Sequence, residues 1–137
     1  MNTTITVQTT VDADIATVWD CWTNPAHIVG WNFASDDWEC PAAQNDVREG
    51  GRFVITMSAK DKSMSFDFSG VYARVDTGAL IEYATDDKRM VSVVFQEIDE
   101  SVVVTETFEM EHENSEELQR AGWQAILDNF KKYTEQV

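Results

Sequence analysis

Along most of this chain hydrophobic and polar positions alternate with period two, and near the C-terminus the period changes to that of a helix. Residues 3–11, TTITVQTTV, put Ile5, Val7, Thr9 and Val11 on one face of a half-buried strand. Asp12 or Asp14 then caps a short helix from Ile15 to Trp22, with Ile15, Val18, Trp19 and Trp22 at helical spacing. Asn24-Pro25 opens a second short helix through Ile28 and Trp31, since proline suits a first helical turn. Residues 32–50 are the least regular stretch, with a brief strand predicted near Trp38–Ala42 and a turn at Glu49-Gly50-Gly51.

Strands and turns then follow in quick succession. Arg52–Ala59 sets Phe53, Ile55 and Met57 on one face, and Ser65–Val75 does the same with Phe66, Phe68, Gly70 and Tyr72. Leu80–Ala84, Met90–Ile98 and Val102–Met110 complete the series, separated by short polar turns that make an antiparallel meander the economical topology. After Asn114 the pattern becomes helical to about Tyr133. Leu118, Gly122, Trp123, Ala125, Ile126, Leu127, Phe130 and Tyr133 fill half of the wheel, with Arg120, Gln124, Asp128, Lys131 and Lys132 on the other half. So broad an apolar arc needs a broad partner, and only the sheet can supply it. The expectation is one α+β domain over residues 1–137. In it a curved antiparallel sheet of six to seven strands grips a long C-terminal helix, with two short helices after the first strand.

Charge narrows the possible partners. Asp and Glu number 25 against 10 Lys and Arg, a net charge of −15. Phosphate contacts need clustered cations, so nucleic acid is excluded as a partner, and an anionic membrane surface is excluded for the same reason. No apolar run approaches the ~18 residues of a membrane span, and Met1-Asn2-Thr3-Thr4 does not begin a secretory leader. Cys21 and Cys40 stand alone, without a CxxC or Cys/His cluster, which predicts two reduced, buried thiols in a cytoplasmic protein.

The candidate chemistry lies in the interior. Glu106 sits in the row Val102, Val104, Glu106, Phe108, so period two turns its carboxyl inward. It would then be a polar anchor or general base in a cavity, unless a bulge turns it to solvent or Arg or Lys pairs it. Gln119 falls inside the apolar arc of the last helix and could present an amide to a ligand. Trp31, Phe33, Trp38, Phe66, Phe68, Tyr83 and Trp123 either line a pocket or fill the core. His27 could face a cavity mouth, His112 lies in an acidic, exposed turn, and Asn129 makes a helix-to-loop contact. With no second inward histidine beside His27 and no acid closely spaced to it, no metal site is predicted, and no cofactor is expected. Asp36-Asp37 diverge on an extended chain and make a poor acid pair. No GxSxG, GxxxxGKS or GxGxxG motif occurs, and no catalytic set is complete.

The element order resembles the helix-grip arrangement of the START-like or SRPBCC superfamily. It is most similar to the branch named for polyketide cyclases and heat-shock ATPase activators. The similarity rests on Val18-Trp19-Asp20-Cys21-Trp22-Thr23-Asn24-Pro25 with His27 and Trp31, and on Asn32-Phe33-Ala34-Ser35-Asp36-Asp37-Trp38. Gly50-Gly51-Arg52-Phe53 and the run from Gly122 to Phe130 complete it, so nearly the whole chain is covered. The resemblance implies an elongated cavity between sheet and helix that binds a small apolar or aromatic molecule. Glu106, Gln119, Trp31, Trp38, Phe66, Phe68 and Trp123 are the expected contacts. A cyclase or hydrolase with Glu106 as general base, or a chaperone-interacting regulator, are the alternatives, and a homodimer is left open.

Overall fold

The computed structural model describes residues 3–137; Met1 and Asn2, the start of the segment read as lacking a leader, lie outside the described residues. The chain runs β1 (Thr4–Val11), α1 (Ile15–Thr23), α2 (Pro25–Ile28), β2 (Trp38–Asn45), β3 (Arg52–Ala59) and β4 (Ser65–Asp76). It continues with β5 (Leu80–Thr85), β6 (Met90–Ile98), β7 (Ser101–Glu109) and α3 (Glu116–Thr134). All seven strands form one curled antiparallel sheet in the order β1-β7-β6-β5-β4-β3-β2. The first strand therefore pairs with the last, and the α1–α2 segment carries the chain across to the opposite edge.

Local chemistry accounts for most boundaries. Asp14 caps α1 by accepting from the Thr17 N–H at 2.8 Å, and Ser115 caps α3 by accepting from the Leu118 N–H at 3.1 Å. Glu116 and Glu117 in the first turn of α3, and Lys131 and Lys132 in its last, complement the helix dipole. Strand β2 runs on to Asn45, beyond the expected Ala42. Pro41 is tolerated because β2 is an edge strand and its pairing shifts register between Glu39 and Ala42, a bulge around the proline. Helix α2 stops at Ile28 rather than reaching Trp31.

Helix α3 lies against β1 and the concave face, with Leu127 and Phe130 wholly buried. Its inward line is Gln119, Trp123, Leu127, Phe130 and Thr134, spaced by three or four residues. Leu118 was expected in the apolar arc, but it sits one residue, and so about 100°, off this line and is 60% exposed. The polar half of the helix has partners of its own. Arg120 donates to the Thr6 carbonyl at 3.0 Å, Gln124 to Gln8 at 3.2 Å and Lys131 to Thr10 at 2.7 Å. Alternate carbonyls on the free side of β1 thus find donors on the helix, which covers the sheet edge. Aromatic rings join the layers: Trp22 and Trp31 each pack on Phe130 at 4.8 Å, and Trp22 on Phe95 at 5.6 Å.

Candidate functional site

Between the concave face and α3 lies a cavity of about 370 Å³, within the roughly 300–1,000 Å³ range of small-molecule sites. Phe53, Phe68, Tyr72 and Tyr83 of the sheet form its floor, Trp123 and Ile126 of α3 its roof, and Trp22 and Trp31 one end. The ring contacts are continuous. Phe53 packs on Tyr83 at 4.8 Å, Tyr83 on Phe68 at 6.2 Å, and Phe68 on Trp123 at 5.9 Å. Trp123 stacks on Phe108 at 3.9 Å. Gly70 makes this floor possible, because a Cβ there would lie 2.4 Å from the Ala84 carbonyl oxygen and 3.1 Å from the Phe53 ring.

Glu106 lines this cavity and is only 5% exposed. Strand β7 pairs without a register shift to both neighbours, setting Glu106 opposite Val7 and Val93. No bulge turns it outward, and among the described residues no Arg or Lys pairs it and no donor bonds it. Burial alone lifts its carboxyl from the ordinary 4.5 to about 8, so it is mostly protonated at neutral pH. The Tyr83 hydroxyl, which also makes no hydrogen bond among the described residues, is pushed well above 10 by burial and then by the charge of Glu106. Arg89, a lining residue that the sequence reading missed because it lies in a turn, is committed elsewhere. Its Nε donates to Asp87 at 2.7 Å and its Nη1 to the Glu109 carbonyl at 3.4 Å.

The other expected contacts divide. Trp31, Phe66, Phe68 and Trp123 all line the cavity; Phe66 does so from the rim, 48% exposed. Trp38 is not in the lining but packs behind Phe66 at 5.7 Å. Gln119 lines the cavity, yet its amide is not free for a ligand. Oε1 accepts from the Glu111 N–H at 2.9 Å, while Nε2 donates to the Glu111 carbonyl at 3.1 Å and the Asn114 carbonyl at 2.8 Å. It holds the β7–α3 loop. His27 lies outside the lining, its ring nitrogens engaged by the Tyr133 hydroxyl at 2.7 Å and Asp20 at 3.1 Å. Asn129 donates to the Phe33 carbonyl at 2.6 Å, the loop contact its position suggested.

Tyr72 and Asn45, both lining residues, tie the helices to the sheet. The Tyr72 hydroxyl donates to Asn45 Oδ1 at 2.5 Å, and Asn45 Nδ2 donates to the Thr23 carbonyl at 2.7 Å. Burial pushes the Tyr72 hydroxyl up to about 12. Cys21 and Cys40 are both free and buried. Among the described residues no group of three His, Cys, Asp or Glu is placed to hold a metal ion, and no helix is long and apolar enough to cross a membrane.

The profile of the family described as "Activator of Hsp90 ATPase homolog 1-like protein" matches residues 12–135. The chain belongs to that family. An AHSA1-like protein from Aeromonas hydrophila, known from its solution structure, is 40% identical and superposes with a TM-score of 0.92 over 98% of this chain and 93% of its own. A protein from Cytophaga hutchinsonii is 53% identical, with a TM-score of 0.83 over 96% and 92% of the two chains. A Chromobacterium violaceum protein at 18% identity shares the fold, with a TM-score of 0.86 over 97% and 98%. A comparison with curated proteins gives no match. The AHSA1-like helix-grip fold is thus established, and it is of a kind consistent with a ligand cavity.

Proposed function

We propose that this AHSA1-like protein binds a small apolar or aromatic molecule in the cavity between the sheet and α3. The observation that carries this reading is a ring-lined space of ligand size into which Glu106 turns a carboxyl that has no partner among the described residues. A core built only for stability would leave neither the space nor the unpartnered acid, since tight packing and satisfied polar groups are the rule inside proteins. Trp31, Phe68 and Trp123 would sandwich the ligand, Phe66 with Trp38 behind it would shape the rim, and Glu106 would fix its orientation. Gln119 would contribute wall rather than anchor.

Native mass spectrometry of protein purified from its own host tests this, with a small molecule expected to co-purify. Ile126→Trp, which fills the roof of the cavity, should abolish that retention in a folded protein. Retention unchanged in Ile126→Trp would refute the cavity as the site. A second reading, acid–base catalysis, is favoured by the displaced ionisation of Glu106 in a cleft shared with the Tyr83 hydroxyl, which makes no hydrogen bond among the described residues. At neutral pH the group would act as an acid, not as the general base expected from the sequence.

A further inference from the structure

This inference rests on the binding reading above and adds the chemistry of the ligand. We propose that the cavity takes a lipophilic organic cation, an amine or quaternary ammonium whose apolar body lies among the rings and whose charged nitrogen sits against Glu106. Three independent observations point that way.

The first is the isolation of the acid. Arg89, the cation of the lining, is turned to Asp87 and the Glu109 carbonyl, and nothing else among the described residues compensates Glu106. A hydrogen-bond donor alone could have been supplied by Thr or Gln without any cost of ionisation. What a carboxyl adds is charge.

The second is the ring surface around it. Tyr83 lies close enough to feel the charge of Glu106, and Trp123 stacks on Phe108, two residues along β7 on the same face. One face of the Trp123 indole is covered by that stack, and Trp123 also borders the cavity. Aromatic faces beside a carboxylate are the general chemistry of ammonium recognition.

The third is the field of the whole molecule. With 25 acidic against 10 basic residues, cations are concentrated around the protein and anions repelled.

Magnitudes allow it. With its carboxyl at about 8, roughly one molecule in ten carries the charge at pH 7, so ionisation lowers cation affinity about tenfold. One desolvated cation–π contact offsets that by roughly thirtyfold, before the ion pair is counted. The titratable groups facing Glu106 are few. Tyr83 of β5 interacts with it electrostatically, and Tyr72 of β4, Arg89 and Glu111 share the lining. Its partners on β1 and β6 are Val7 and Val93, and the lining residues of α3 do not ionise.

The test pairs benzyltrimethylammonium with neopentylbenzene, its uncharged isostere, by NMR titration of the indole N–H resonances. The quaternary probe has no proton of its own to lose. Its affinity should rise about tenfold per pH unit up to about 8 and then level off, while the isostere shows no such rise. Glu106→Gln should weaken the cation at least tenfold and leave the isostere within about twofold. If the isostere binds but the cation does not, or Glu106→Gln leaves the cation unaffected, the cationic class is wrong and the binding reading stands. If neither probe shifts the resonances of Trp22, Trp31 and Trp123, both fall together.

Discussion

Replacing Glu106 by Gln should stabilise the protein, and the gain should grow with pH in a way set by one ionisation. In the unfolded chain this carboxyl titrates at its ordinary 4.5, and in the fold burial holds it at about 8. Below about pH 4.5 both states carry the proton and the group contributes nothing. As pH rises above that value the unfolded chain loses its proton while the folded protein keeps it, so stability falls with a slope of 1.36 kcal/mol per unit. At pH 7, about two and a half units higher, the wild type has lost about 3 kcal/mol, a loss that levels off only above pH 8. Gln has no proton to lose, keeps the shape, and escapes this penalty entirely.

The measurement is urea unfolding of both proteins from about pH 4 to pH 9, reading the difference between them at each pH. Every other titrating group, including Asp86, held at about 2 by Arg52 and Ser69, contributes equally to both and cancels. Any difference between the amide and the neutral acid is a constant, and a constant does not alter the slope. For a chain of 137 residues the gap at pH 7 should appear as roughly 10 °C in Tm relative to the gap at pH 4. Parallel stability curves would mean that Glu106 titrates alike in both states, through water or a partner in the cavity, and the argument from burial would be refuted.

Phe130→Ala removes the ring against which Trp22 and Trp31 both pack, and should cost about 3–5 kcal/mol by denaturant titration. Gln119→Leu leaves the Glu111 N–H and the Glu111 and Asn114 carbonyls without their partner. It should cost about 1–3 kcal/mol and speed hydrogen exchange in the β7–α3 loop while β3 and β4 are unchanged. Lys131→Ala withdraws the donor on the Thr10 carbonyl, and exchange should quicken in β1 with at most about 1 kcal/mol lost overall. Burial raises both Cys21 and Cys40 thiols, so a thiol reagent should label neither quickly in the native protein and both after unfolding.

What could be read from the sequence, and what could not, separates along one physical line. Glu106 was placed inside by the period of its strand, because a strand's side chains alternate whatever lies across from them. The same rule drew β3 and β6 at their observed bounds and put Phe53 and Val104 in the core. Gln119 was placed inside just as correctly, but periodicity says which way a side chain points and not what it meets. Its three partners lie in the loop between β7 and α3, a stretch without a period, so its role in holding that loop was invisible. The polar flank of α3 was open for the same reason. Arg120, Gln124 and Lys131 read only as the polar half of the wheel, and only the register of α3 along β1 brings them to Thr6, Gln8 and Thr10. The site inherits this division. Its acid and most of its rings stand on period-two strands and could be named in advance. Arg89 stands in the β5–β6 turn, and its direction decides whether the acid is compensated. Because Arg89 is turned away toward Asp87, no cation sits against the Glu106 carboxyl among the described residues, and that single side-chain direction is why the proposed ligand is expected to be positive.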